Sequence, residues 1–124
     1  MNAIERATRV LNSTTARLAG TDAEYIRAGR VVCCPRVVAA AVSEDVLAEE
    51  SFETRGRAQD WIVKVEALAV SGVPFEPAAG DRIRVRRAGK PWTYEVAELG
   101  DHAAEPADAY GVAWRIHSKL VASG

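Results

Sequence analysis

Gly80-Asp81-Arg82-Ile83-Arg84-Val85-Arg86-Arg87-Ala88-Gly89-Lys90-Pro91-Trp92-Thr93-Tyr94-Glu95-Val96 is the stretch that decides the fold class. Arg82, Arg84 and Arg86 alternate with Ile83 and Val85, and Trp92, Tyr94 and Val96 alternate with Thr93 and Glu95. A period of two belongs to a strand, whose successive side chains leave opposite faces of the sheet. Between the two legs, Arg87 to Pro91 supplies turn residues, so the segment reads as an antiparallel hairpin with an apolar side on both legs.

Working outward, the same period recurs. Trp61, Val63 and Val65 alternate with Ile62, Lys64 and Glu66, a strand with one buried face. Glu66 to Gly72 reads as a short turn, and Val73-Pro74-Phe75-Glu76-Pro77 as an extended connector that prolines keep out of any helix. Downstream, Leu99 to Tyr110 is a loop containing Gly100 and Pro106. The last strand runs from Val112 to about Leu120, with Val112, Trp114 and Ile116 on one side and Arg115, His117 and Lys119 on the other. Upstream, the Val- and Ala-rich stretch Tyr25 to Val42, broken by Gly29 and Pro35, forms one or two strands with a turn at Ala28-Gly29-Arg30. Ser43 to Gly56 has no sustained period and reads as a long loop with a helical turn.

The amino terminus differs. Ile4, Ala7, Leu11, Thr15 and Leu18 recur at helical spacing, Asn2 and Glu5 make a capping box, and Gly20 stands where a helix stops, which predicts an amphipathic helix over residues 2–19. Its apolar face packs on the chain's own sheet or docks on a neighbouring subunit. With no internal repeat and no composition break, the expectation is one domain over residues 1–124: the helix at 2–19 and a β-rich body at 24–120. The class is α+β but mainly β, a small barrel or sandwich of five to six antiparallel strands with long loops.

Composition narrows the function. At 124 residues, with 48% hydrophobic and 27% charged residues, the chain is expected to bury a core without staples. Sixteen Lys and Arg against 17 Asp and Glu leave a formal charge of −1, which removes the global basic excess of a typical nucleic-acid binder. No apolar run is long enough to span a bilayer and no secretory leader is recognisable, so the chain is expected in the cytosol or to leave it without a signal. Cys33 and Cys34 are adjacent, a spacing unsuited to a mutual disulfide or a metal site, and read as two reduced packing residues.

Neither a dinucleotide or phosphate loop, a nucleophile elbow nor a zinc-binding helix motif occurs, so no catalytic residue, metal ligand or cofactor site is assigned. His102, among Asp101, Glu105 and Asp108, has the look of an oxygen-rich metal loop, but acidic loops are usually solvated. His117 reads as an exposed or rim residue. The pattern with most interest is basic: Arg82, Arg84 and Arg86 share a strand face, and Arg115 and Lys119 add a parallel row if the last strand pairs nearby. These five are the candidate interface residues, for docking to an acidic protein surface or passing DNA. The bland alternative is a solvated sheet face balanced by Glu95 and Glu98. A second class of function, a barrel that binds nucleic acid or a small ligand, would use Trp92, Tyr94 and Trp114 as its platform.

Several motifs resemble those of a known group. Pro77-x-x-Gly80-Asp81-Arg82-Ile83, the return strand Tyr94-Glu95-Val96, and above all Asp108-Ala109-Tyr110-Gly111-Val112-Ala113-Trp114-Arg115-Ile116-His117-Ser118-Lys119 are similar to small tailed-phage and prophage proteins of the head–tail joining, connector, stopper or head-completion type. The Ala- and Arg-rich amino terminus leading to Tyr25-Ile26-Arg27-Ala28-Gly29 fits the same group, and the resemblance touches about two-thirds of the chain. It implies a small β-barrel or sandwich and a structural task without catalytic residues or cofactors: a ring-shaped homo-oligomer in the virion that closes the filled head and docks the tail. The implied partners are other copies of the chain, a portal or adaptor protein and a tail tube or tail terminator protein, with transient proximity to DNA and no membrane. The implied location is the virion, and the host cytoplasm before assembly. The loop from Leu99 to Ala107 departs from the pattern in having Asp101, His102 and Glu105 where aromatic and basic residues are expected.

Overall fold

The computed structural model describes residues 20–123, so the predicted helix at 2–19 lies outside the described residues. The hairpin is present as read: β7 (Arg82–Arg87) pairs with β8 (Lys90–Val96), and Arg87 stands opposite Lys90 across a two-residue turn. Ala88 and Gly89 both have positive φ, 52° and 77°, the type I′ geometry whose twist matches the strands it joins. The same turn closes β1 (Thr21–Arg27) on β2 (Arg30–Cys33) through Ala28-Gly29 at 53° and 78°. In both turns a residue with a Cβ takes the first left-handed position, and glycine, which meets no steric penalty there, takes the second.

The remaining strands are β3 (Arg36–Ala40), β4 (Ala58–Lys64), the short pair β5 (Ala69–Val70) and β6 (Val73–Pro74), β9 (Ala104–Pro106) and β10 (Ala113–Ser123). Pairing runs β1–β3–β4–β10–β8–β7, and β7 returns to β1 with Tyr25 opposite Ile83, which closes a six-stranded antiparallel barrel. Closure satisfies backbone donors and acceptors that an open sheet would leave at its two edges. The period of two read from the sequence becomes the inside of the barrel: Tyr25, Val37, Trp61, Val63, Ile83, Val85, Val96 and Ile116 are buried. At its centre the Trp61 ring meets Tyr94 edge-on, centroids 5.1 Å apart, while Trp61 Nε1 donates to Ser118 Oγ at 3.1 Å. A fully buried aromatic of this kind contributes about 3 kcal/mol through removal of apolar surface from water.

Several expectations change in detail. Tyr25 to Val42 holds parts of three strands, because Cys34-Pro35 interrupts what would otherwise be one long partner of β1; proline has no N–H to give to the ladder. The barrel strands begin at Thr21, before the expected 24, and β10 continues to Ser123, past the expected 120, through an irregularity between Leu120 and Ala122. Cys34 is exposed and does not pack, whereas Cys33 is partly buried, and burial raises its thiol pKa. The loop from Ser43 contains two short helices, α1 (Glu44–Leu47) and α2 (Phe52–Arg57), capped by Ser43 and Ser51. Val65 to Ala67 forms a 3-10 turn, so the strand read through Val65 ends one residue earlier.

Candidate interaction surface

The stretches outside the barrel hold the surface in place, and two buried carboxylates anchor them. Asp81 precedes β7. Its Oδ2 accepts from Tyr25 Oη at 2.6 Å, from Arg27 Nη2 at 2.8 Å and from the Ala78 N–H at 3.0 Å, and its Oδ1 accepts from Arg27 Nε at 3.1 Å. Arg27 also donates to the Glu76 carbonyl at 2.7 Å and lies 4.6 Å over the Phe75 ring. One carboxylate thus ties β1 to residues 75–81. Burial pushes the Asp81 carboxyl up, but the hydrogen bonds from Arg27, Tyr25 and Ala78 outweigh it and hold its pKa below the usual value. Tyr25 responds in the opposite sense: burial first, then the bond to Asp81, raises its phenol far above the ordinary range.

Asp60 lies on the outer side of β4 and is nonetheless fully buried. Its Oδ2 accepts from Arg115 Nε at 2.7 Å, and its Oδ1 lies 2.6 Å from His117 Nδ1. The other ring nitrogen lies 3.8 Å from Glu105 on β9. Arg115 also donates to the Ala41 carbonyl at 2.6 Å, where the chain leaves the barrel for α1. His117 was expected at an exposed rim; it is buried, with β9 paired along one edge of β10, α2 packed against β10 and the side chains of Asp60 and Glu105 beside the ring.

The other motif aspartate works locally. Asp108 Oδ1 accepts from the N–H groups of Tyr110 at 2.7 Å and Val112 at 3.3 Å, and Oδ2 accepts from Ala113 N–H at 3.1 Å. Gly111, at φ 66°, lets the backbone curl around this carboxylate. The Gly80-Asp81 and Asp108-x-Tyr110-Gly111 motifs are therefore backbone fasteners.

The five basic candidates separate into two groups. Arg82, on β7, and Lys119, on β10, both stand opposite Glu95 on β8, and Arg82 Nη2 lies 3.7 Å from that carboxylate. Next to them Arg84 Nε donates to Glu24 on β1 at 2.9 Å, a bond that lowers the Glu24 pKa and raises that of Arg84. Arg86 Nη1 donates to the Gly89 carbonyl at 3.4 Å, and its charge also lowers the Glu24 pKa. Arg82, Arg84, Arg86 and Lys119 thus share one outer face of the barrel interleaved with Glu24 and Glu95, whereas Arg115 is committed to Asp60 and does not extend the row. The balancing acid at Arg84 is Glu24, which reasoning along one hairpin missed because β1 closes the barrel against β7.

The aromatic platform does not form: Tyr94 is buried against Trp61, and Trp92 and Trp114 pack on the core from its margins. Arg87 covers Trp92 and Tyr94 at 5.1 and 5.7 Å. Among the described residues no group of three His, Cys, Asp or Glu side chains is placed to hold a metal ion, and no helix is long and apolar enough to cross a membrane. Sequence reasoning gave Tyr25 and Arg27 no role beyond the resemblance and passed over Asp60; an outward Asp flanked by strand residues gives no signal until its surroundings are known. The family model described as "Phage head-tail joining protein" matches residues 1–124. No curated protein and no solved structure matches the chain.

Proposed function

The chain belongs to the family of phage head–tail joining proteins, and from that premise we propose that it is a structural protein of the virion neck, several copies forming a ring that closes the filled head and receives the tail. The single observation that supports this best is the use made of three aspartates, two of them buried. Asp60, Asp81 and Asp108 all face donors of the chain itself, and each fixes a stretch outside the barrel. Groups spent in this way supply shape and surface.

Copies would contact one another, a portal or adaptor protein on the head side and a tail tube or terminator protein on the other. Arg82, Arg84, Arg86 and Lys119 would contribute to docking, with Glu24 and Glu95 setting register through alternating charge. Arg115 acts inside the subunit. Before assembly the chain would reside in the host cytoplasm, and DNA would pass close to the finished ring.

Cryo-electron microscopy of purified virions tests the proposal. The expected result is density for this barrel, repeated around the axis, between portal and tail; virions that lack the chain, or that hold it elsewhere, would overturn it.

A further inference from the structure

Two hairpin turns share one geometry and one electrostatic problem. At the first, Arg27 stands opposite Arg30 across Ala28-Gly29; at the second, Arg87 stands opposite Lys90 across Ala88-Gly89. Like charges facing one another across a ladder are destabilising. The first turn is relieved by a carboxylate: Arg27 Nη2 lies 2.8 Å from Asp81 Oδ2, which neutralises one of its two cations. The second has no such relief. Among the described residues no carboxylate forms an ion pair with Arg86, Arg87 or Lys90. The acids nearest the tip, Asp22 and Glu24 on β1, are held by Arg36 and Arg84, and Glu24 feels Arg86 only as a charge at longer range.

This surplus of positive charge is held in a defined shape. Residues 86–91 are exposed throughout. The Arg87 guanidinium lies 5.1 Å over the Trp92 ring and 5.7 Å over Tyr94, a stack that orients its plane although the residue stays open to water. Arg86 and Arg87 occupy one leg and Lys90 the other, with the small Ala88 and Gly89 between them and open space around Gly89. The major groove of duplex DNA admits a two-stranded ribbon of this kind. A guanidinium matches a phosphate with two parallel N–H bonds.

We infer that the β7–β8 tip is a contact for duplex DNA: Arg86, Arg87 and Lys90 meet phosphates on the walls of a groove, and Ala88-Gly89 points into it. The inference rests on the ring reading above, in which DNA passes close to the finished ring, and names the element that touches it. Phosphate contacts carry no sequence information, so the duplex is held without regard to its sequence. The formal charge of −1 confines the attraction to this tip, so one copy binds weakly and copies around a ring add their contacts.

Fluorescence anisotropy of a labelled duplex of arbitrary sequence, titrated with the purified chain over a series of salt concentrations, tests this. The wild type is expected to bind, with log K falling against log salt at a slope of about −2.7 per bound copy, that of three phosphate contacts. Arg86→Gln combined with Lys90→Gln leaves the Arg87 stack in place and should reduce the slope to about −0.9. Adding Arg87→Gln should abolish binding. Arg30→Gln, at the turn of the same geometry, should leave the slope unchanged, and melting temperatures equal to the wild type's check that the variants of these exposed residues fold. A wild type that ignores the duplex, or a double variant that binds it with the wild-type slope, would overturn the inference. So would binding of polyglutamate in preference to the duplex, which would assign the tip to an acidic protein surface. None of these results touches the ring reading, which stands or falls on where the chain lies in virions.

Discussion

Asp60 and Asp81 are both carboxylates buried against arginine, yet they stand at different depths of the design. Asp81 sits where a loop enters the barrel and gathers donors from β1 and from its own turn, so it joins parts of the wall that closes the molecule. Asp60 sits in mid-strand on the outer face, and its two partners, Arg115 and His117, both come from β10. Those partners reach on to Ala41 and toward Glu105, so it serves the layer outside the wall. One carboxylate secures the barrel; the other secures what the barrel displays. A buried ion pair is weak ground for stability by itself, because desolvation offsets attraction, but removing the carboxylate is costly since a buried partner, Tyr25 at Asp81 and His117 at Asp60, is left without it.

The largest effect is expected at Asp81. Replacing it by Asn leaves Arg27 without its counter-ion and lowers stability by about 4 kcal/mol, read as the shift of the urea midpoint. Because the folded-state pKa of Asp81 is depressed, its contribution is present above the unfolded carboxylate value, near pH 4, and is lost as pH falls through the lower folded value. The gap between wild type and Asp81→Asn should therefore narrow below about pH 4. A gap that stayed constant down to the acid limit would contradict the assignment.

Asp60→Asn should cost about 3 kcal/mol and differ in kind. Hydrogen exchange should quicken most over residues 41–57 and 100–107, the stretches next to Arg115 and His117, with the strand amides of β7 and β8 least affected. Equal acceleration throughout would erase the distinction between the two carboxylates. Tyr25→Phe removes one of the donors to Asp81 and should cost about 1.5 kcal/mol. The smallest effect belongs to the surface: changing Arg82, Arg84 and Arg86 together to Gln should move stability by less than about 1 kcal/mol, since exposed pairs contribute little, while weakening assembly in a salt-sensitive way. Assembly indifferent to that change would remove these arginines from the interface.

The two regions also differ in how far they could be read in advance. The hairpin from Arg82 to Val96, the Trp61 strand and β10 were legible because each alternates apolar and polar residues and each buries one face. Gly80-Asp81 was visible as an opening to the hairpin, but its donors Tyr25 and Arg27 lie more than fifty residues away and meet it only once β1 closes on β7. Asp60 was illegible. Alternation places it outward, where solvent is the default, and only Arg115 and His117, with α2 packed against their strand and Ala41 bonded to Arg115, turn that position into an interior. His117 was misread for the same reason. Chain-local physics was readable; what depended on closure of the barrel was not.

That this chain works by presenting a fixed surface between head and tail is tested most directly by electron microscopy of lysates from a phage deleted for it. Filled heads and complete but separate tails in the same field, rejoined when the wild-type chain is supplied, is the predicted result. Intact, infectious particles assembled in its absence would contradict it.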